Sequence, residues 1–135
     1  MNRVLRLLLG PGRMAAPLRA ELEAEGLVLL EEGLLGSITF RNYRARLTRI
    51  SYRKELISGA IAVTGGRLVV WVKRSKHIDI PLDGPYRKLV QATAEDPGRL
   101  CLTYDAGALD DTRSGRVEVR FRTAAALRVA DLLGG

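Results

Sequence analysis

The sequence predicts a mainly β chain, with about seven antiparallel strands curled into a partly open barrel, a short helix before them and a capping helix after them. Three observations lead there. Apolar and polar residues alternate with a period of two in R-V-E-V-R-F-R (Arg116 to Arg122) and H-I-D-I-P-L (His77 to Leu82), the pattern of half-buried strands. The run I-S-G-A-I-A-V-T-G-G-R-L-V-V-W-V joins two apolar stretches across Gly65-Gly66, where glycines would accept the positive φ of a tight hairpin. Only near the two ends of the chain does the apolar spacing become helical.

The elements follow in order. Two arginines precede an apolar run at the N-terminus, but only Leu7 to Leu9 are continuous. An export signal needs about 7 to 15 such residues and a membrane span about 20, so neither is expected. Gly10-Pro11-Gly12 interrupts the chain, making residues 1–12 a flexible extension and 13–135 a single domain. Met14, Leu18 and Leu22 form an i, i+4, i+8 stripe, with Pro17 suited to a first helical turn and Gly26 to a stop. The polar side of this helix is acidic, so its stripe is expected to cover a sheet or barrel mouth rather than a bilayer. Further strands are expected at 36–43, 89–93 and 99–105, the last two joined by the turn-forming Glu95-Asp96-Pro97-Gly98. In the final segment Thr123 reads as an N-cap, Ala125, Val129 and Leu132 as one stripe, and Gly134 as the stop. That helix would close one end of a curled sheet.

A chain of 135 residues can bury roughly two-thirds of its unfolded surface in one core. With 47% hydrophobic and 27% charged residues it has the composition of a folded chain rather than a disordered one. Cys101 is the single cysteine, which excludes an intrachain disulfide and a cysteine-based zinc cluster and fits a reducing compartment. A cytoplasmic location is expected.

The phrase S-G-A-I-A-V-T-G-G-R-L-V-V followed by H-I-D-I-P-L resembles the pleckstrin-homology-like and GRAM-like superfamily. Its bacterial members carry a G-x-x-x-x-T-x-x-R-L hairpin followed by a strand ending in I-P-L, and Gly59, Thr64, Arg67 and Leu68 stand at the matching positions. The resemblance spans about Gly26 to Leu133 and implies a partly open barrel acting as a non-catalytic module for phosphoinositides, other anionic groups or protein segments. In phosphoinositide-binding members a lysine in the first strand is followed by a basic-x-arginine pair in the second. Arg44-Ala45-Arg46 matches the second half of that pattern, while residues 27–40 hold no lysine or arginine for the first half.

Charge is concentrated where that match falls. The net charge is +7, and positions 41–54 hold six cations and no carboxylate: Arg41, Arg44, Arg46, Arg49, Arg53 and Lys54. Guanidinium groups match phosphate and carboxylate in a bidentate way. The β-favouring Thr39, Phe40, Tyr43, Thr48, Ile50 and Tyr52 predict a strand-loop-strand, with Ser51 inviting the turn. Tyr43 and Tyr52 are positioned either to stack on nucleic-acid bases or to pack against arginine stems. A second basic tip, Lys73, Arg74 and Lys76, is expected between two strands. A charged outer sheet face can also be only solvation and protection against edge pairing.

Catalysis is not expected. His77, the only histidine, alternates outward beside Ile78 and Ile80, and Cys101 lies between Leu100 and Leu102 with its face undecided. The sequence holds no G-x-S-x-G elbow, P-loop or G-x-G-x-x-G spacing. The acidic D-A-G-A-L-D-D (Asp105 to Asp111) lacks the alternate ligand spacing of a calcium loop and reads as a surface loop that could also pair with a neighbouring copy. The expectation is therefore a binding or interaction module with no cofactor or metal. Its partner would be a protein or anionic ligand or a membrane surface, and nucleic acid is disfavoured. The alternative is a structural or self-associating domain.

Overall fold

The computed structural model describes residues 10–134. Helix α1 (Ala16–Glu25) precedes β1 (Leu27–Ala45), β2 (Thr48–Thr64), β3 (Arg67–Val72) and β4 (Ser75–Pro81). A 3-10 turn (Gly84–Leu89) leads to β5 (Val90–Asp96), β6 (Arg99–Asp105), the short α2 (Ala106–Leu109), β7 (Ser114–Arg122) and α3 (Ala126–Gly134). The seven strands are antiparallel and make one open sheet in the order β4-β3-β2-β1-β7-β6-β5, with β4 and β5 at its ends. Both the strand number and the terminal helices are as expected from the sequence. Two compact units divide the chain: residues 10–35 with Ile57–Arg87, and Gly36–Leu56 with 88–134. The long strands β1 and β2 contribute to each.

In the first unit, Ala60 and Ala62 on β2 lie opposite Trp71 and Val69 on β3. The small alanines leave room for α1, whose Leu22 is fully buried in a cluster with Met14, Ala60, Ala62 and Val69. Gly26, in the left-handed region at φ 96, ends the helix. The start of α1 is held by Glu32 on β1, which accepts from the Met14 amide at 2.9 Å and pairs with Arg19 at 2.9 Å. Arg67 on β3 gathers Glu21 and Glu25 of α1 and Asp79 of β4 at 3.4 to 3.7 Å. Of the expected extension, residues 1–9 lie outside the described residues, and Gly12 accepts a hydrogen bond from the Gly33 amide at 3.0 Å.

The Gly65-Gly66 turn forms where the sequence places it, but by another device. Neither glycine has a positive φ. Instead the buried Thr64 hydroxyl accepts from the amides of Gly66 and Arg67 at 3.1 and 3.0 Å, closing the turn from its first corner. Thr64→Val is thus expected to cost about 1 kcal/mol, read as a lower urea midpoint with an unchanged m-value.

In the second unit one sheet face is apolar. Val117, Val119 and Phe121 of β7 and Leu100, Leu102 and Tyr104 of β6 are buried as alternation requires, and α3 lies over β5 and β6. Its buried residues are Ala126, Val129 and Leu133, rather than the expected Ala125, Val129, Leu132. The reason is the start of the helix. The Thr123 hydroxyl accepts from Ala125 and its carbonyl from Ala126, forming a turn before the helix proper. Pro97-Gly98 turns β5 into β6, with Asp96 accepting from the Gly98 amide at 2.8 Å.

Candidate anion-binding surface

The basic segment is the distal half of the β1–β2 hairpin. The strand-loop-strand expectation holds, but the turn is at Arg46-Leu47 and Ser51 lies within β2. Arg44-Ala45-Arg46, which the resemblance set in a second strand, ends β1 and enters the turn. Leu47 is 99% exposed with φ 64. An αL conformation costs a non-glycine residue about 1 kcal/mol or more, and tight hairpins normally place asparagine or glycine there. This turn therefore departs from ordinary turn chemistry at the one position where an aliphatic side chain meets solvent fully.

The hairpin also departs from simple alternation. Asn42 has φ 50, and the β1–β7 register shifts between Arg41 and Arg44. Gly115 makes the bulge feasible: its φ is 107, and a Cβ there would lie 2.5 Å from the Asn42 carbonyl oxygen and 2.6 Å from Tyr43 Cα.

Arg41, Arg44, Arg46, Arg49, Arg53 and Lys54 are all exposed. Arg41 is committed: its Nε donates to Glu118 Oε1 at 3.1 Å and its guanidinium lies over the Tyr52 ring, 5.1 Å from the centroid. Among the described residues the other five carry no ion pair. Tyr43 is buried, edge-on to Phe40 with centroids 5.0 Å apart. Thus one tyrosine is withdrawn into the core and the other packs against the Arg41 guanidinium.

The second basic tip belongs to the first unit. Lys73 occupies the β3–β4 turn at φ 58, where its amide donates to the Ser58 carbonyl and its own carbonyl accepts from Trp71 Nε1 at 3.1 Å. Arg74 is exposed in the same turn, and Lys76 pairs with Asp79 at 2.9 Å. His77 is half-buried where the β3–β4 register shifts, rather than fully outward.

Sequence reasoning overlooked Glu118. Alternation puts it on the polar sheet face, yet it is buried, because Arg41, Arg116 and Arg120 approach its carboxylate at 3.1, 3.4 and 3.6 Å. Burial opposes its charge, but the Arg41 hydrogen bond and the fields of Arg120, Arg41 and Arg116 outweigh it and hold the carboxyl below its usual range. Arg120 is further engaged by Glu95 through two hydrogen bonds, at 3.0 and 3.2 Å. The signal was present in the alternation of R-V-E-V-R, but the Arg41 partner lies 77 positions away.

Cys101 pairs in register with Arg120, on this same polar face, and is nevertheless buried. Burial pushes its thiol up, against a 3.5 Å contact with Thr103 Oγ1 and the field of Arg120, so it is not an activated nucleophile. In the acidic segment, Asp105 accepts from the Gly107 amide at 2.8 Å. Asp110 accepts from the Thr112 hydroxyl at 2.6 Å and amide at 3.0 Å, which together hold its carboxyl below the usual range. These two carboxylates close local turns. No group of three histidines, cysteines or carboxylates among the described residues is arranged to hold a metal, and no described helix is long and apolar enough to cross a membrane. The chain matches no protein-family model, no curated protein and no solved structure.

Proposed function

We propose that the chain is a non-catalytic, pleckstrin-homology-like binding module that docks reversibly, hairpin tip first, on an anionic bilayer surface. The observation that carries this reading is Leu47, fully exposed in a strained turn and flanked in sequence by Arg44, Arg46 and Arg49. An aliphatic tip with neighbouring cations suits an interface whose headgroups are negative and whose interior is apolar. Full burial of a leucine contributes about 1.5 to 3 kcal/mol, and each cation near an anionic surface about 1 kcal/mol. The sum describes a weak, salt-sensitive contact that strengthens with a second attachment. The pleckstrin-homology-like part of the reading is supported by the meander that places β1 between β2 and β7, open between β4 and β5, with a C-terminal helix.

Vesicle co-sedimentation at rising salt tests it, using neutral phosphatidylcholine vesicles with and without phosphatidylserine. Binding is expected only to the anionic vesicles. It should fall about tenfold for Leu47→Ala and about 30-fold for Arg44→Ala plus Arg46→Ala. Equal binding to neutral vesicles, or none at low salt, would reject the reading.

A further inference from the structure

The polar face of the second unit contains a second feature that hairpin docking does not use. At the β5 end of the sheet a shallow hollow of about 280 Å³ is lined by Leu89 and Tyr104 and by the polar side chains of Lys88, Gln91, Thr103, Asp105 and Arg116. Strand register brings them together. Gln91 pairs with Thr103, and Asp105 with Arg116, so side chains from three adjacent strands stand on one face. Lys88 comes from the end of the 3-10 turn, just before β5.

The wall carries Lys88 and Arg116 against one carboxylate, Asp105, so its charges are not balanced internally, and Glu118, outside the wall, does not offset them. Glu118 is a single carboxylate approached by three guanidiniums, and Arg116 reaches it only at 3.4 Å with its side chain 59% exposed. Most of the Arg116 donors therefore have no described partner, and Lys88 also has no ion pair among the described residues. Beside Arg116 in the ladder, Asp105 uses one oxygen for the Gly107 amide, and its second oxygen is also an acceptor. A wall that combines two cations, one carboxylate, an amide and a hydroxyl matches a ligand bearing one anionic group and several hydroxyls. The carboxylate disfavours a polyanion. The volume lies below the roughly 300 to 1,000 Å³ of drug-sized sites, so the ligand has few heavy atoms.

We infer that this hollow binds a small hydroxylated oxyanion, a phosphate ester or a carboxylate, with Lys88 and Arg116 on the anionic group and Asp105, Gln91 and Thr103 on the hydroxyls. The test is an amide-resolved NMR titration of the intact chain with glycerol 3-phosphate, glycerate, inorganic phosphate and glycerol. Saturable shifts at Gln91, Thr103, Asp105 and Arg116 are expected with glycerol 3-phosphate or glycerate, and the stronger of the two identifies the source of the anion. Inorganic phosphate should bind more weakly and glycerol not at all. Arg116→Gln and Lys88→Gln should each weaken binding about tenfold, and Lys88→Gln, which does not touch the Glu118 cluster, should do so with a melting temperature near that of the parent. Asp105→Asn, which can still cap Gly107, should abolish the preference for hydroxylated over bare anions. The inference is overturned if no saturable shift appears in the millimolar range, if Lys88→Gln binds with the affinity of the parent, or if the shifts are confined to residues 41–54. Because Leu47→Ala leaves the hollow intact, its titration is expected to be unchanged even if vesicle binding fails.

Discussion

Gly36→Val is expected to destabilise the second unit by about 3 kcal/mol or more. Gly36 lies opposite Phe121 in the β1–β7 ladder. A Cβ there would overlap the Arg120 carbonyl oxygen and lie 2.7 Å from its carbonyl carbon and 3.0 Å from Phe121 Cα. Those are backbone atoms of the neighbouring strand, so no rotamer change relieves the clash and β1 must separate from β7. The loss extends beyond one pair, because farther along the same ladder Ile38 with Val119 and Thr39 with Glu118 are buried. Gly65→Ala is the matched control: a Cβ at Gly65 meets nothing within 4 Å, and its φ is not positive. Urea unfolding should separate the two variants clearly, and similar midpoints would show that the β1–β7 approach is not tight.

Glu118→Gln is expected to cost about 1 to 2 kcal/mol at neutral pH. Removing one partner of a fully buried pair costs more, about 3 to 5 kcal/mol, but the three arginine side chains here are 27 to 59% exposed and water screens part of the loss. The pH dependence follows from the depressed Glu118 carboxyl. Between its folded value and the ordinary value of about 4.3, the unfolded chain binds more protons, so stability rises with pH. The contribution is complete above the ordinary value and disappears as pH falls through the folded one. Unfolding midpoints measured from about pH 6 to pH 3 should therefore decline less steeply in Glu118→Gln than in the parent. Parallel declines would mean that this carboxylate is not held by its arginines.

Much of the fold was legible because its signals are local. The period of two in Arg116 to Arg122 sufficed to orient Val117, Val119 and Phe121 inward, and Pro17 and Gly26 bracketed the first helix. Where reading failed, a neighbour distant in sequence decided. Ser51 has better turn chemistry than Arg46-Leu47, yet β1 pairs with β7 and β2 with β3 in registers anchored by buried residues, and the turn falls where those registers leave it. The buried stripe of α3 turned by one residue because the helix packs against β5 and β6 after the Thr123 turn. In the candidate site, the exposed hairpin cations were visible as a charge cluster, whereas the commitment of Arg41 to Glu118 and Tyr52 was not.

By itself the sequence determined that this chain is mainly β, that helices flank about seven strands, and that nearly all its net charge falls at 41–54. Those properties depend on spacing and composition over a few residues, which side-chain alternation and helical periodicity express directly. Only the tertiary structure decided that Leu47 is the tip, that Glu118 is buried among three arginines, and that Lys88, Gln91, Asp105 and Arg116 share one hollow. Glu118 is set by register between β1 and β7, far apart in the chain, Leu47 by the registers on either side of its turn, and the hollow by register among the consecutive β5, β6 and β7. Register depends on which buried faces pack together, and that choice leaves no mark in the local pattern of any one strand.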